Sequence, residues 1–310
     1  MQSSLNVQPF DHCGLACISD LETPRCRQLL ELLEQDQAEF IRKHDRFIAP
    51  GYQWPLDPLH TWSRVWEYPY VYHHLEKWRK SLPGDHTPLV VDFGSGVTFF
   101  PFSVARLNCH VICTDIDKAC QESFASAVCH ISAAPGKVEF RLSLPDRLPL
   151  GDCSVDCLYC ISVIEHIPDF EQSLAEVARV LKPGGLFVVT FDLDLRGDHQ
   201  IGPEQYPQLL DALGRCFCRA YPVRHLHPRD MLSSDKGPYA LKPPQGWAYA
   251  KYWIKNKVVN PIIGKRQAPL IAPYLTVEGL ALLRRSGDDP ELPIPKFCND
   301  ANRDRSGATV

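Results

Sequence analysis

The 310-residue sequence lacks several features that would place it in a specialised class of protein. It has no apolar run near the roughly 20 residues that cross a bilayer. Its first residues show neither the basic stretch nor the apolar core of a secretory signal. Its formal net charge is −4 with both signs spread along the chain, so it has no basic stripe suited to nucleic acid. We therefore expect a cytoplasmic protein with no membrane span and no nucleic-acid partner.

The cysteine pattern does not indicate a disulfide framework. The thirteen cysteines are odd in number and scattered, several of them in predicted strands. Buried free thiols behave as small apolar side chains, which fits a reducing compartment. Cys157 and Cys160 have the spacing of a redox or zinc pair, but residues three apart in a strand face opposite sides of the sheet. Two core cysteines are therefore favoured over a metal or redox site.

Residues 89–98 form the stretch on which the functional prediction depends. Leu89, Val90 and Val91 indicate a short buried strand, which Asp92 ends. Gly94 and Gly96 permit a tight turn that brings the backbone close to a ligand, and helical spacing resumes after it. The unpaired N–H groups at the start of such a helix favour a ligand that carries a nucleoside or a carboxylate.

A second acid follows the next apolar run. Asp115 lies 23 residues after Asp92, near the offset of about 20 at which dinucleotide-binding folds place an acid on ribose hydroxyls. Its alternative role is that of an N-cap for a helix over 118–128, although Asp117 is better placed for that role.

A further ordered set of motifs comes later in the chain. Glu165-His-Ile-Pro-Asp169 is followed by a predicted helix, then by Lys182-Pro-Gly-Gly185 and an apolar strand. Together with the glycine turn and Asp115, this order resembles the class I S-adenosylmethionine-dependent methyltransferases over about residues 88–192. The resemblance implies an α/β fold: a Rossmann-like, seven-stranded sheet with helices on both faces, an N-terminal helical cap and an insertion between strands six and seven. It also implies S-adenosyl-L-methionine as the cofactor.

We predict the elements and domains from these motifs and from periodicity. Strands are predicted at 89–91, 110–114, 138–142, 155–161 and 186–191, with two antiparallel strands at 218–226 and 275–283. Helices are predicted at 23–47, 60–74, 99–107, 118–128, 170–181 and 203–217, whereas residues 1–22 are polar and irregular. The domain limits are an N-terminal extension and cap over 1–80, a methyltransferase domain over 81–285 with an insertion at about 228–273, and a disordered tail over 286–310.

The resemblance implies cofactor contacts in several of these segments. They are Arg64, Asp92, Phe93, Gly94, Ser95, Gly96, Asp115, Ile116, Leu144 and Cys160. The family usually has an acid for the adenine amino group at the position of Leu144, and Asp146 has the wrong spacing to replace it. Adenine recognition is therefore expected from the backbone and from Ile116.

Two segments leave alternatives open around the acceptor. The aromatic helix over 60–74 either packs on the sheet or lids the cofactor, with Arg64 on its methionine carboxylate and Tyr68 or His73 facing substrate. The insertion either builds the wall of the acceptor pocket or forms a surface or dimer contact. Asp192, Asp194, Asp198 and His199 follow the fifth strand of the family's sheet and are more typical of a solvated loop than of a Mg²⁺ site, so no metal is predicted.

His166 is the candidate catalytic residue. It either removes a proton from the acceptor as a general base or orders its own loop. We expect methyl transfer to an oxygen or nitrogen of a small molecule, as in secondary metabolism or glycan modification, because motifs for base or amide methylation are absent. The alternative is a protein that binds S-adenosylmethionine without methyl transfer, as a cyclase or a regulatory subunit. The sequence leaves the oligomeric state open, with a homodimer as one option.

Overall fold

The computed structural model describes residues 9–48, 52, 55–195, 201–242, 246–254 and 274–286. Its strands are β1 (Gly14–Leu15), β2 (Leu89–Phe93), β3 (His110–Asp115), β4 (Lys137–Leu142), β5 (Val155–Ile161), β6 (Leu181–Asp194), β7 (Phe217–Arg219) and β8 (Leu275–Arg284). Its α-helices are α1 (Ile18–Leu21), α2 (Pro24–Lys43), α3 (Arg64–Ser81), α4 (Phe100–Ala105), α5 (Lys118–Ala127), α6 (Phe170–Val180), α7 (Gln205–Cys216) and α8 (Gly246–Ile254). Turns of 3₁₀ helix lie at His44–Arg46, Ile164–His166 and Pro228–Asp230.

Within these residues, eight strands form one mixed sheet. Its order is β1-β8-β6-β5-β2-β3-β4, and β7 also pairs with β8. The five strands from β2 to β6 are parallel, and β8 runs antiparallel to β6. The predicted Rossmann-like sheet is confirmed, and β1 is an additional strand in a segment that showed no regular pattern.

β7 is shorter than the predicted strand over 218–226, because another segment occupies the same edge of β8. β7 pairs with Leu282 to Arg284, whereas β1 pairs with Glu278 and Gly279. The chain beyond β7 therefore leaves β8 and runs beside the residue before β1, where the Arg224 N–H donates to the Cys13 carbonyl at 2.9 Å.

Helices cover both faces of the sheet and divide the core into two clusters. α2, α3, α4 and α5 contribute to one cluster, and α6 and α7 contribute to the other. Cys157 belongs to the first cluster and Cys160 to the second, as expected from strand alternation. Within the part of the chain described, no helix is both long enough and apolar enough to cross a membrane.

The aromatic helix α3 packs closely on the sheet. Trp66 and Tyr70 are fully buried and stack with ring centroids 4.5 Å apart. Both rings lie over Gly279 of β8, where an added Cβ would stand 2.8 Å from Trp66 Cη2 and 2.7 Å from Tyr70 Cε1. Glycine at this position therefore sets how closely α3 approaches the sheet.

We expect Gly279→Ala to lower the free energy of unfolding by about 1–3 kcal/mol, because the methyl group would overpack this contact. Urea unfolding measures the change. Gly84→Ala is the matched control, since a Cβ there meets none of the described atoms within 4 Å. Equal effects of the two substitutions would contradict the packing account.

Candidate active site

A cavity of about 790 Å³ opens at the carboxyl ends of β2, β3, β5 and β6. From β2 the chain proceeds through β3 to β4 on one side, and then returns to β5 on the other. The crevice beside such a reversal of strand order is where open α/β sheets bind ligands. The fold therefore brings the predicted strand-end motifs to one cavity.

The glycine turn after β2 forms the floor of this cavity. Gly94 has φ +72° and Gly96 has φ +51°, and a Cβ at Gly94 would lie 2.6 Å from both γ-carbons of Val163. The N–H groups of Gly94 and Ser95 donate to the Thr114 carbonyl at 2.9 and 3.0 Å. The neighbouring strand thus holds the turn open to a ligand.

Asp115 lies beside this turn at the cavity wall. Its Oδ2 accepts from the Gly96 N–H and its Oδ1 from the Asp117 N–H, both at 3.0 Å. Asp117 caps α5 by accepting from the Ala119 N–H at 2.8 Å, so the alternative N-cap role of Asp115 is not seen. An ionised carboxylate has about four acceptor positions, so Asp115 retains capacity for ligand hydroxyls.

Two exposed apolar side chains lie near Asp115 in the cavity lining. Ile116 is 62% exposed and Leu144 is 66% exposed, and both line the cavity with Phe93. Exposed apolar side chains of this size suit a flat ring, as predicted for Ile116. Asp146 lines a separate small pocket, so it does not supply the missing acid at Leu144.

The opposite end of the cavity is built on α3. Arg64 Nη1 donates to Ser162 Oγ at 2.5 Å and forms an ion pair with Glu67. Glu67 is fully buried and accepts from the hydroxyls of Ser162 at 2.7 Å and Thr190 at 2.5 Å. This network joins α3 to the ends of β5 and β6.

Asp92 is buried at the end of β2 and lines the cavity. Tyr159 donates its hydroxyl to Oδ2 at 2.9 Å. Burial, with a smaller contribution from the negative charge of Asp115, raises the pKa of Asp92 to about 8.

His166 lies in the 3₁₀ turn after β5, and its exposed side chain lines the cavity. Partial burial and the positive charge of Arg64 lower its pKa below 6.5, so the imidazole is neutral at pH 7. A neutral imidazole can accept a proton from a ligand.

Cys160 is the one predicted contact that the structure does not bring to the cavity. It is fully buried in the core on the α6 and α7 face, and its neighbours Ile161 and Ser162 line the cavity instead. Successive side chains of a strand point to opposite faces, so a prediction placed one residue early selects the wrong face. The Cys160 side chain is therefore not placed to contact a ligand in the cavity.

Sequence reasoning also missed residues that the fold brings in from a distance. Tyr52 accepts from the Val97 N–H at 2.6 Å and lines the cavity beside Gly96. It stands among prolines and glycine, where no motif marks it. For Glu67 the sequence contained one signal: it lies one helical turn after Arg64, a spacing that favours an ion pair.

Tyr68 and His73, the two side chains of the aromatic helix predicted to face substrate, lie in different places. Tyr68 lines the cavity and stacks on Phe100 with centroids 4.7 Å apart. His73 is buried away from it, with Nε2 2.9 Å from Asp11. α3 therefore packs on the sheet and also lines the cavity through its first turns.

The described residues contain no group of three or more His, Cys, Asp or Glu side chains that could hold a metal ion. Asp192 and Asp194 are buried on β6, whereas Asp198 and His199 lie outside the described residues.

Comparison with known proteins agrees with this geometry. Residues 91–189 match the family model described as a methyltransferase domain. Residues 91–189 thus form a methyltransferase domain. A probable S-adenosylmethionine-dependent methyltransferase of Mycolicibacterium smegmatis is 36% identical over 101 residues, which cover 33% of this chain and 37% of that protein. A ubiquinone biosynthesis O-methyltransferase of Rhizobium rhizogenes is 28% identical over 163 residues, covering 50% and 62%.

These matches span only about a third to three fifths of the relatives' lengths. Among solved structures, the [4+2]-cyclase SpnF aligns over 89% of this chain and 99% of its own, with a TM-score of 0.48 and 17% identity. A similarity at that score decides nothing about activity.

The cavity fits the family's cofactor, S-adenosyl-L-methionine. A Cβ at Gly94 would clash with Val163, so the turn keeps its backbone bare on the cavity floor. Apolar side chains and a carboxylate adjoin the turn on one side, and an arginine lies at the other end.

We expect Asp115→Ala to weaken binding of the demethylated cofactor S-adenosylhomocysteine by about 10²- to 10⁴-fold, because two hydrogen bonds to ribose hydroxyls are lost. Each charge-assisted hydrogen bond to a ribose hydroxyl contributes about 1.5–3 kcal/mol. Calorimetric titration measures the affinity, and Asp146→Ala, outside the main cavity, is the control. Unchanged affinity in Asp115→Ala would refute the ribose assignment.

Asp92→Asn tests the raised pKa. Folding raises the pKa of this carboxyl from 3.8 to about 8, so the folded protein keeps a proton that the unfolded chain releases. The stabilisation of the folded state by this retained proton is fully present below about pH 4. Between about pH 4 and pH 8 the free energy of unfolding falls by up to about 1.4 kcal/mol per pH unit, and the stabilisation is lost. Relative to wild type, the variant should gain stability across this window in urea unfolding. A difference independent of pH would contradict the assignment.

Proposed function

We propose that the chain transfers a methyl group from S-adenosyl-L-methionine to an oxygen or nitrogen of a small molecule. The observation that carries this proposal is the extent of the cavity. Its lining includes both the glycine turn and the apolar side chains of Pro55, Pro58, Trp62 and Leu241. A cofactor site continuous with an apolar compartment is what a bimolecular transfer requires.

The cofactor contacts follow from the side chains present. Asp115 would hold the ribose, Ile116 and Leu144 the adenine, and the Gly94–Gly96 turn with Asp92 the centre of the molecule. Arg64 would face the methionine carboxylate, since the hydrogen bonds of its guanidinium to the described residues all run through Nη1. The bound cofactor supplies a methyl group on a positively charged sulfur, a good leaving group.

The protein's own task is to align the acceptor and exclude water. His166 would accept the acceptor's proton or fix its orientation, because its neutral ring lines the cavity. The O-methyltransferase names of several relatives favour oxygen as the methylated atom.

We further propose a cytoplasmic location. The cysteines in the described part of the chain are free thiols, and most of them are buried. Such thiols persist best in a reducing compartment.

Incubation with methyl-labelled cofactor and fractionated small-molecule extracts tests the activity. A labelled product of low molecular mass is expected. Persistent S-adenosylhomocysteine binding with no labelled product in any fraction would reject methyl transfer and support a binding protein instead.

His166→Ala should lower turnover of the labelled product by about 10²- to 10⁴-fold if the imidazole is the base. Cofactor affinity should stay within about twofold of wild type, because the predicted contacts to the cofactor are elsewhere. His86→Ala, outside the cavity lining, is the control. Full activity of His166→Ala would remove this residue from the mechanism.

A further inference from the structure

Two buried carboxyl groups meet behind the acceptor side of the cavity. Asp192 lies near the end of β6 and is 8% exposed, and Glu165 lies in the 3₁₀ turn after β5. The Asp192 N–H donates to Glu165 Oε1 at 3.2 Å. The two acids are therefore held together by the backbone, and Asp192 lines the cavity.

Each acid leaves one oxygen unsatisfied. Asp192 Oδ1 and Glu165 Oε2 are buried, and neither has a hydrogen-bond partner in the described structure. A buried polar atom without a partner costs about 1–3 kcal/mol, so it calls for an explanation. Asp192 also lines the cavity, so a ligand there can donate a hydrogen bond to its carboxylate.

The surrounding charges do not neutralise this pair. Arg64 forms its ion pair with Glu67, which Ser162 and Thr190 also satisfy. Burial and the negative charge of Glu67 raise the pKa of Asp192 to about 8, against the opposing effect of Arg64. Burial and Asp192 raise the pKa of Glu165. Adjacent buried carboxyls cannot both ionise readily, so the pair holds at least one proton near neutral pH.

We propose that Asp192 binds the O–H or N–H group of the acceptor and takes its proton during methyl transfer, with Glu165 as its positioning residue. This inference rests on the proposed function. The acceptor's O–H or N–H bond breaks, its proton bonds to an oxygen of the ionised Asp192 carboxylate, and the bonding pair stays on the acceptor atom. That pair bonds to the methyl carbon, whose former bonding pair leaves with sulfur. The proton on Asp192 then passes to solvent.

Asp192 and His166 predict different pH profiles. Asp192 is buried, whereas the His166 side chain is exposed and its pKa is below 6.5. With Asp192 as the base, kcat rises tenfold per pH unit and levels off near pH 8. With His166 as the base, the rise ends below about pH 6.5.

Infrared spectroscopy of the S-adenosylhomocysteine-loaded protein tests the site without any turnover. We expect the difference between the spectra of wild type and Asp192→Asn to contain a carbonyl band of a protonated carboxylic acid that disappears with a midpoint near pH 8. The Asp92 carboxyl titrates in the same range, but it is present in both proteins and cancels in this difference. Phenol or benzylamine at neutral pH should shift this band, whereas anisole, which has no O–H or N–H, should not. Asp146→Asn is the matched control and should leave the band intact.

Absence of an Asp192-dependent titrating band, or a band that neither donor shifts, would overturn the proposal. S-adenosylhomocysteine affinity within twofold of wild type shows that Asp192→Asn is folded. If that variant loses affinity, Glu165→Gln replaces it, and an unchanged band midpoint there overturns the pairing.

Activity then separates this inference from the proposed function. With the acceptor found by the labelled-cofactor screen, Asp192→Asn should lower kcat at least 100-fold and abolish the rise toward pH 8. A wild-type profile in the variant would overturn the role of Asp192 and leave methyl transfer standing. Failure of the screen itself would reject methyl transfer, whereas the infrared result would still report on donor binding.

Discussion

The hydrogen bonds between the glycine turn and the neighbouring strand organise the candidate site. The Thr114 carbonyl accepts from Gly94 and Ser95, and the Asp115 carboxylate accepts from Gly96. These bonds fix a bare stretch of backbone at the cavity floor. They also hold the Asp115 carboxylate beside that floor, so the same hydrogen bonds shape the cavity and position a carboxylate at its wall.

The same cavity depends on one charge that is buried at high cost. Glu67 is fully buried, but Arg64, Ser162 and Thr190 satisfy it. Removing one partner from such a network leaves an uncompensated charge, which is why buried ion pairs hold their geometry strictly. Through Glu67, the helix that covers the sheet is fixed against two strand ends, and this contact shapes the part of the cavity beside Arg64.

The parallel core could be predicted from the sequence because its signals are local. Buried parallel strands appear as short apolar runs, and the glycine turn and Asp115 follow two of them directly. β1, Tyr52 and the pairing of Glu165 with Asp192 could not be predicted, since each depends on contacts between segments distant in the chain. The position of Cys160 has a different explanation. A strand alternates faces at every residue, so a contact assigned one position early falls into the core.

A crystal structure of the protein with S-adenosylhomocysteine tests the central claim most directly. The account predicts the ribose hydroxyls on the Asp115 carboxylate, the adenine ring between Ile116 and Leu144, and the sulfur above the Gly94–Gly96 turn. A ligand bound elsewhere, or a ribose with no contact to Asp115, would contradict it.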